Sequence, residues 1–192
     1  VFPEQAANWD FIREKCANAG RPVRVLNLFA YSGGATLAAA AGGAEVWHVD
    51  AAKNMVAWAK ENAQACGLDN IRYIVDDCRK FVEREIRRGN RYDGVIMDPP
   101  SYGRGPNGEV WKLENELYPL VERCMKIFSD HPLFFLINSY TTGLSASTVG
   151  YLLELHFASK FGGKVEASEI GIPVSTTGGT LPAGSSARWM KK

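Results

Sequence analysis

The sequence predicts a three-layer α/β sandwich, with a mostly parallel sheet held between helices. Two observations carry this prediction. Five short, nearly continuous apolar runs alternate with longer helix-like segments, and such alternation implies parallel strands joined by right-handed crossovers. The last two strand-like runs, Lys164 to Ile172 and Ala183 to Met190, have only a Gly/Thr/Pro connection between them. That connection is too poor in helix formers to carry a crossover. The two runs therefore pair as an antiparallel hairpin and bring the sheet to seven strands.

The elements follow in order. Trp9 to Ala19 reads as a helix stopped by Gly20-Arg21-Pro22, a helix-ending signal. Val23 to Leu28 is the first strand, apolar enough to be buried on both faces. Ala35 to Ala41 is an alanine-rich helix closed by Gly42-Gly43, and Glu45 to Val49 is the second strand. Lys53 to Cys66 is a helix closed by Gly67. Ile71 to Val75 is the third strand, followed by a helix from Cys78 to Arg88 that stops at Gly89-Asn90. Tyr92 to Met97 is the fourth strand. Ser101 to Lys112 reads as a glycine-rich loop, Leu113 to Phe128 as a helix and Leu133 to Asn138 as the fifth strand. A helix from Ser147 to Phe161, closed by Gly162-Gly163, leads into the final hairpin. No internal repeat, low-complexity tract or linker interrupts the chain, which reads as one domain over 1–192 with a short helical segment at about 1–20.

Composition narrows the class. The 192 residues are 46% hydrophobic and 22% charged, with a net charge of +1. This is an ordinary globular balance, and nothing global in it demands a nucleic-acid partner. No stretch approaches the ~20 apolar residues of a membrane span, and no secretory leader is visible. Cys16, Cys66, Cys78 and Cys124 are scattered, with no CxxC and no histidine at metal spacing, which suits free thiols in a reducing cytoplasm and no metal. The sequence opens at Val1 rather than Met, which reads as a chain lacking an upstream segment.

The ends of the strands carry the chemistry. Val25-Leu26-Asn27-Leu28 runs into Phe29-Ala30-Tyr31-Ser32-Gly33-Gly34, the second strand ends at Asp50, and the fourth ends as Asp98-Pro99-Pro100-Ser101-Tyr102. In an open α/β sheet these ends share one edge, and ligands bind in the crevice there. Gly33 and Gly34 read either as a generic turn or as a place where backbone approaches a ligand closely. Asp50 can cap the helix beginning near Lys53 or accept hydrogen bonds from a ribose, and the two roles are compatible. A GxGxxG pattern, which brings a pyrophosphate to a helix N-terminus, is absent. A nucleoside-bearing cofactor without phosphates fits better.

Taken together, Asn-Leu-Phe-Ala-Tyr-Ser-Gly-Gly, Asp50, Val75-Asp76-Asp77-Cys78 and Asp-Pro-Pro-Ser-Tyr resemble the class I S-adenosylmethionine-dependent methyltransferases. The nearest branch is the group that contains the large-subunit ribosomal RNA enzymes of Asp-Pro-Pro-x-Tyr type. The resemblance runs from about Phe2 to Trp189. It implies a Rossmann-like fold ending in an antiparallel hairpin, S-adenosyl-L-methionine as cofactor, S-adenosyl-L-homocysteine as product, and RNA as partner. It also implies cofactor-binding roles for Phe29, Ala30, Tyr31, Ser32, Gly33, Gly34, Asp50, Ala51, Asp76, Asp77, Cys78 and Asp98. Within that set, an acid after the third strand accepts from the adenine amino group. Asp77 is the better match and Asp76 reads as a cap or a solvated charge. Gln5, in Phe2-Pro3-Glu4-Gln5, matches a glutamine that touches the methionine end of the cofactor, although Ala6 stands where relatives carry an arginine.

The same resemblance gives Asp98, Pro99, Pro100 and Tyr102 catalytic roles. The acid side chain and a proline carbonyl bind an amino group while the aromatic ring stacks on a planar acceptor. Cytosine-C5 enzymes need a thiolate that adds to C6, and the C5-specific relatives keep a cysteine just after the fifth strand. Here Asn138-Ser139-Tyr140-Thr141 fills that place, so methylation of an RNA base at a nitrogen is expected over cytosine C5; a protein or small-molecule acceptor stays open. Arg79, Lys80, Arg84, Arg87, Arg88 and Arg91 cluster around one helix, with Arg104 and Lys112 in the loop after Asp-Pro-Pro. The helix cluster reads either as an RNA-phosphate track or as a solvated face broken by Glu83 and Glu85.

Overall fold

The first two strands are short, doubly buried runs that lead into helices, and the third is a half-exposed edge strand that does the same. The computed structural model describes residues 2–105 and 107–191. A single turn at Pro3–Gln5 leads into α1 (Ala6–Ala17), then β1 (Arg24–Leu28), α2 (Gly34–Ala41), β2 (Glu45–Asp50), α3 (Lys53–Ala65), β3 (Ile71–Val75), α4 (Cys78–Arg88) and β4 (Gly94–Met97). Two three-residue strands follow, β5 (Tyr102–Arg104) and β6 (Val110–Lys112), then α5 (Leu113–Cys124), β7 (Phe134–Ser139) and α6 (Ala146–Leu153). The α6 helix widens into a π turn at Glu154–Ala158 and ends in α7 (Ser159–Phe161) before β8 (Lys164–Pro173) and β9 (Thr180–Met190).

The main sheet has seven strands in the order β3-β2-β1-β4-β7-β9-β8. The pairs β1–β2, β2–β3, β1–β4 and β4–β7 are parallel, and β9 lies antiparallel between β7 and β8. The expected hairpin ending is present, with β9 inserted inside the sheet. Strand order reverses between β1 and β4, so the crevice of a doubly wound sheet opens there, above Leu28 and Met97.

Alternation along the strands sorts the core into two layers. Val25, Val46, Ile96, Phe134 and Leu136 face α1 and α2. Leu26, Leu28, Val95, Met97, Phe135 and Ile137 face α4, α5 and α6. On the second face Trp189, Phe157, Phe128 and Phe161 interlock with ring centroids 5.0–6.3 Å apart. Burying rings of this size stabilises by roughly 1.5–3 kcal/mol each.

One expectation is corrected here. The segment Ser101 to Lys112 is not a plain glycine-rich loop: Tyr102, Gly103 and Arg104 pair antiparallel with Lys112, Trp111 and Val110. Pro106, at its turn, lies outside the described residues. Helix boundaries shift too. The expected Leu113 to Phe128 helix tightens into a 3-10 turn at Met125–Ile127.

Candidate active site

The loop leaving β1 is strained and tied down. Phe29 and Tyr31 adopt φ of 55° and 49°, and Gly33 adopts 92°. Positive φ costs a non-glycine residue on the order of 1 kcal/mol or more, and such strain persists where neighbours over-determine it. The neighbours here are specific. Phe29 N–H donates to Cys78 Sγ (3.3 Å), Ala30 N–H to the Val49 carbonyl (3.1 Å) and Tyr31 N–H to Asp50 Oδ2 (2.8 Å). Asn62 Nδ2 donates to the Ser32 carbonyl at 2.9 Å. A Cβ on Gly33 would lie 3.1 Å from that of Ala59, so the loop packs on α3 only because that Cβ is missing. Beneath it, Asn27 Nδ2 donates to Thr36 Oγ1, which bonds His48 Nδ1, each at 2.9 Å. Burial holds the His48 pKa down at about 4, so the imidazole is neutral.

The acids after β2 and β3 are occupied by donors. Asp50 Oδ1 accepts from Ala52 N–H at 2.9 Å while Oδ2 takes Tyr31 N–H. The helix cap of α3 is Ala52, so Asp50 braces the β1 loop instead of capping. Asp77 is the N-cap of α4, accepting from Arg79 N–H and Lys80 N–H and from the Arg79 guanidinium. Asp76 pairs with Arg84 and does not line the cavity at the sheet edge, unlike Asp77. The cap expected of Asp76 belongs to Asp77, whose carboxylate sits one residue closer to the helix.

The acid after β4 is the opposite case. Among the described residues Asp98 has no side-chain hydrogen bond or ion pair. Burial pushes its pKa up to about 7, helped by the carboxylate of Glu4. Pro99 and Pro100 follow without N–H groups to donate. The Pro100 carbonyl accepts from Trp111 Nε1 at 2.6 Å, so the short hairpin braces the Asp-Pro-Pro turn. The Trp111 ring is buried against Phe29, with centroids 4.7 Å apart. Tyr102 is elsewhere than expected. It is 53% exposed and does not line the cavity; it stands on the outer face of the hairpin, because strand alternation sends Gly103 and Trp111 inward instead.

The N-terminal segment closes the far side. Gln5 Nε2 donates to the Tyr140 hydroxyl (2.6 Å), which donates to Glu4 Oε1 (3.0 Å). Asn8 Nδ2 donates to Gln5 Oε1 and Asn138 Oδ1, and Asn8 Oδ1 accepts from Ser186 and Arg188 of β9. Gln5 is thus buried in a network with Asn8, Asn138 and Tyr140 that reaches β9 through Asn8.

Two adjoining cavities result, with Phe2, Phe29, Tyr31 and Asp98 in the wall of each. The larger, about 500 Å³, is lined also by Asp50, Ala51, Asp77, Cys78, Pro99, Pro100, Arg104 and Trp111. The smaller, about 350 Å³, adds Gln5, Ala30, Ser32, Gly33, Gly34 and Asn138. Neither Lys nor Arg lines the smaller one. Trp111 has no role in the sequence reading, and Asn138 and Tyr140 enter it only as residues standing where a cysteine is absent; a tryptophan ending a glycine-rich stretch is the one available signal.

The thiols and cations are placed plainly. Cys16, Cys78 and Cys124 are buried, and burial raises each thiol pKa, Cys16 to about 12, so they stay protonated and inert. Cys66 is exposed at the end of α3. In the α4 cluster, Arg79 pairs with Asp77 and Glu116, Lys80 with Glu109, Arg84 with Asp76 and Arg88 with Glu85. Those four cations pair with neighbouring carboxylates, which favours the solvated face over the phosphate track of the two readings the sequence leaves open.

Crevice, strained loop and Asp-Pro-Pro turn together define a methyltransferase-type site, and residues 7–123 match the family described as S-adenosylmethionine-dependent methyltransferase. The chain belongs to that family, whose cofactor is S-adenosylmethionine. It is 28% identical over 131 residues to the ribosomal RNA large subunit methyltransferase K of Neisseria meningitidis serogroup B, covering 66% of this chain and 37% of that one. It is 37% identical over 140 residues to the ribosomal RNA large subunit methyltransferase K/L of Chromohalobacter salexigens, covering 67% and 19%. The chain therefore spans well under half the length of these relatives. The crystal structure of a SAM-dependent methyltransferase from Agrobacterium tumefaciens matches all of this chain and 63% of that one, at 40% identity and a TM-score of 0.94. No helix of the described residues is long and apolar enough to cross a membrane.

Proposed function

We propose that the chain methylates an RNA base at a nitrogen, with S-adenosylmethionine lying across the two cavities. The residues fit that cofactor. Each Asp50 oxygen holds one backbone N–H and keeps capacity for a ribose hydroxyl. Asp77 and Cys78 border the space for adenine, between Phe29 and the Asp-Pro-Pro turn. The smaller cavity, with Gln5, Ser32, Gly33, Gly34 and Asn138, suits the methionine end. When bound, the cofactor supplies an electrophilic methyl group on a sulfonium.

One observation carries the nitrogen reading: the Asp98 carboxylate meets the cavity with acceptors and no donor of its own. Such a group recognises an N–H-bearing acceptor and aligns its lone pair, the main task in an in-line displacement. The Pro99 carbonyl is the second acceptor. After transfer the nitrogen sheds a proton, and Asp98, with its pKa near 7, can hold it at a carboxylate oxygen. The ring of Trp111 and that of Phe29 exclude water. The names of the ribosomal RNA relatives support RNA as the acceptor and the cytoplasm as the place of action, and the protonated buried thiols argue against a cysteine adduct at cytosine C6.

Tritiated methyl transfer onto unmodified ribosomal RNA, cell protein and small-molecule pools, followed by nucleoside mass spectrometry, tests the reading. Label on a base nitrogen is the expected result. Label recovered as 5-methylcytosine overturns the nitrogen assignment, and label found only in protein or small molecules removes RNA.

A further inference from the structure

The small hairpin has two unlike faces. Gly103 and Trp111 pair across it and point inward, Trp111 burying its ring against Phe29. Directly opposed residues of an antiparallel pair share a face, as do residues two apart. The outward face is therefore Tyr102 and Arg104 on β5 with Lys112 and Val110 opposite them on β6. All four are exposed. Neither Arg104 nor Lys112 has an ion-pair partner among the described residues, in contrast to Arg79, Lys80, Arg84 and Arg88. Of the nearby acids, Glu109 pairs with Lys80 and Glu116 with Arg79, while Glu114 is exposed at the start of α5. One exposed aromatic ring between two free cations thus stands at the mouth of the reaction cavity, which Arg104 itself borders.

Resting on the RNA reading above, we infer that the outer face of the β5–β6 hairpin is a docking platform for single-stranded RNA flanking the methylated base. Tyr102 stacks on a neighbouring base, and Arg104 and Lys112 meet phosphates on either side of it. Base–aromatic stacking and backbone cations are how sequence-tolerant single-strand surfaces work, and the charge of this face is complementary to a phosphate chain. The assignment removes Tyr102 from the reacting base. It leaves Trp111 and Phe29 as the rings inside the cavity.

The test uses the whole chain, unmodified ribosomal RNA transcribed in vitro, and the variants Tyr102→Ala, Tyr102→Trp and the double variant Arg104→Ala/Lys112→Ala. Tyr102→Ala is expected to raise KM for RNA about tenfold with kcat within about twofold, and Tyr102→Trp to restore KM. The double variant is expected to raise KM and to flatten the dependence of log KM on log salt by about 1.4, for two phosphate contacts on a single strand. S-adenosylhomocysteine affinity should be equal in the natural chain and the two Tyr102 variants. A fall in kcat for Tyr102→Ala at constant KM returns the ring to the reacting base and overturns the inference, as does an unchanged salt slope in the double variant. No label on RNA from the unmodified enzyme sinks the RNA reading and the platform together. Label on RNA with identical KM in every variant sinks the platform alone.

Discussion

Asp50 and Asp98 both close buried parallel strands on the same sheet edge, yet their surroundings are opposite. Asp50 holds two backbone N–H groups and stiffens a loop with three positive φ values. The Asp98 side chain has no hydrogen-bond partner among the described residues and sits beside a second acid, Glu4, with its pKa pushed up to about 7. A saturated carboxylate is a structural brace with acceptor capacity left over for a ligand's hydroxyls. A half-buried one without a donor carries a desolvation cost, which a bound N–H donor relieves. On the proposed reading, the two acids divide the site into a holding end and a reacting end.

The sharpest break of that division is Asp98→Ala. Turnover should fall on the order of 10²-fold or more, the scale of lost reactant alignment, while calorimetry should show S-adenosylhomocysteine affinity changed only a few-fold. Loss of binding with turnover intact would invert the two roles. Asp50→Ala is the complementary variant. It removes charge-assisted acceptors from Tyr31 and Ala52 and from the ribose, so S-adenosylhomocysteine should bind roughly ten- to a hundredfold more weakly, and NADH should bind neither protein.

The third prediction concerns pH. An amino group needs the Asp98 carboxylate as acceptor, so kcat should rise as pH climbs through about 7; a flat profile in that range counts against the assignment. Asp98→Asn should abolish that rise while keeping part of the activity. Stability moves the other way. A carboxyl whose folded pKa is raised binds its proton more tightly in the fold than in the unfolded chain, so stability is fully present below the unfolded value near 4. It is lost as pH rises toward 7. Asp98→Asn should therefore be more stable than the natural chain at pH 8, by on the order of 1–2 kcal/mol, in thermal or denaturant melts. The smallest effect is expected for Trp111→Phe, which keeps the contact with Phe29 and deletes the bond to the Pro100 carbonyl. It should cost about 1 kcal/mol of stability and lower turnover a few-fold without altering S-adenosylhomocysteine binding.

The five parallel strands are legible because each is a short apolar run bounded by glycine, proline or acid, and the antiparallel ending because no helix formers separate β8 from β9. The β5–β6 hairpin was not: Tyr-Gly-Arg and Val-Trp-Lys are too short for alternation to emerge. That omission is why Tyr102 was read as facing the acceptor and why Trp111 was passed over. The ends of β1, β2 and β4 declared themselves through residue type. The network of Gln5, Asn8, Asn138, Ser186 and Arg188 did not, since neutral amides carry no periodic signal and their partners lie 130 or more residues apart. The pairing of α4 cations was hidden for the same reason, because Glu109 and Glu116 come from elements whose approach the sequence leaves open.

Asn8 finds its last acceptor contacts 178 and 180 residues further along, in Ser186 and Arg188. During synthesis the strained β1 loop and Asp50 can assemble early, from neighbours no further away than Cys78, 49 positions from Phe29. The wall formed by Gln5 and Asn138 has to wait until β9 has left the ribosome and slipped between β7 and β8. Contacts of such long sequence separation slow folding. Activity in a nascent chain should thus switch on only with the final strand, and an otherwise intact polypeptide ending before Ser185 should remain silent however well its helices α1 to α7 have formed.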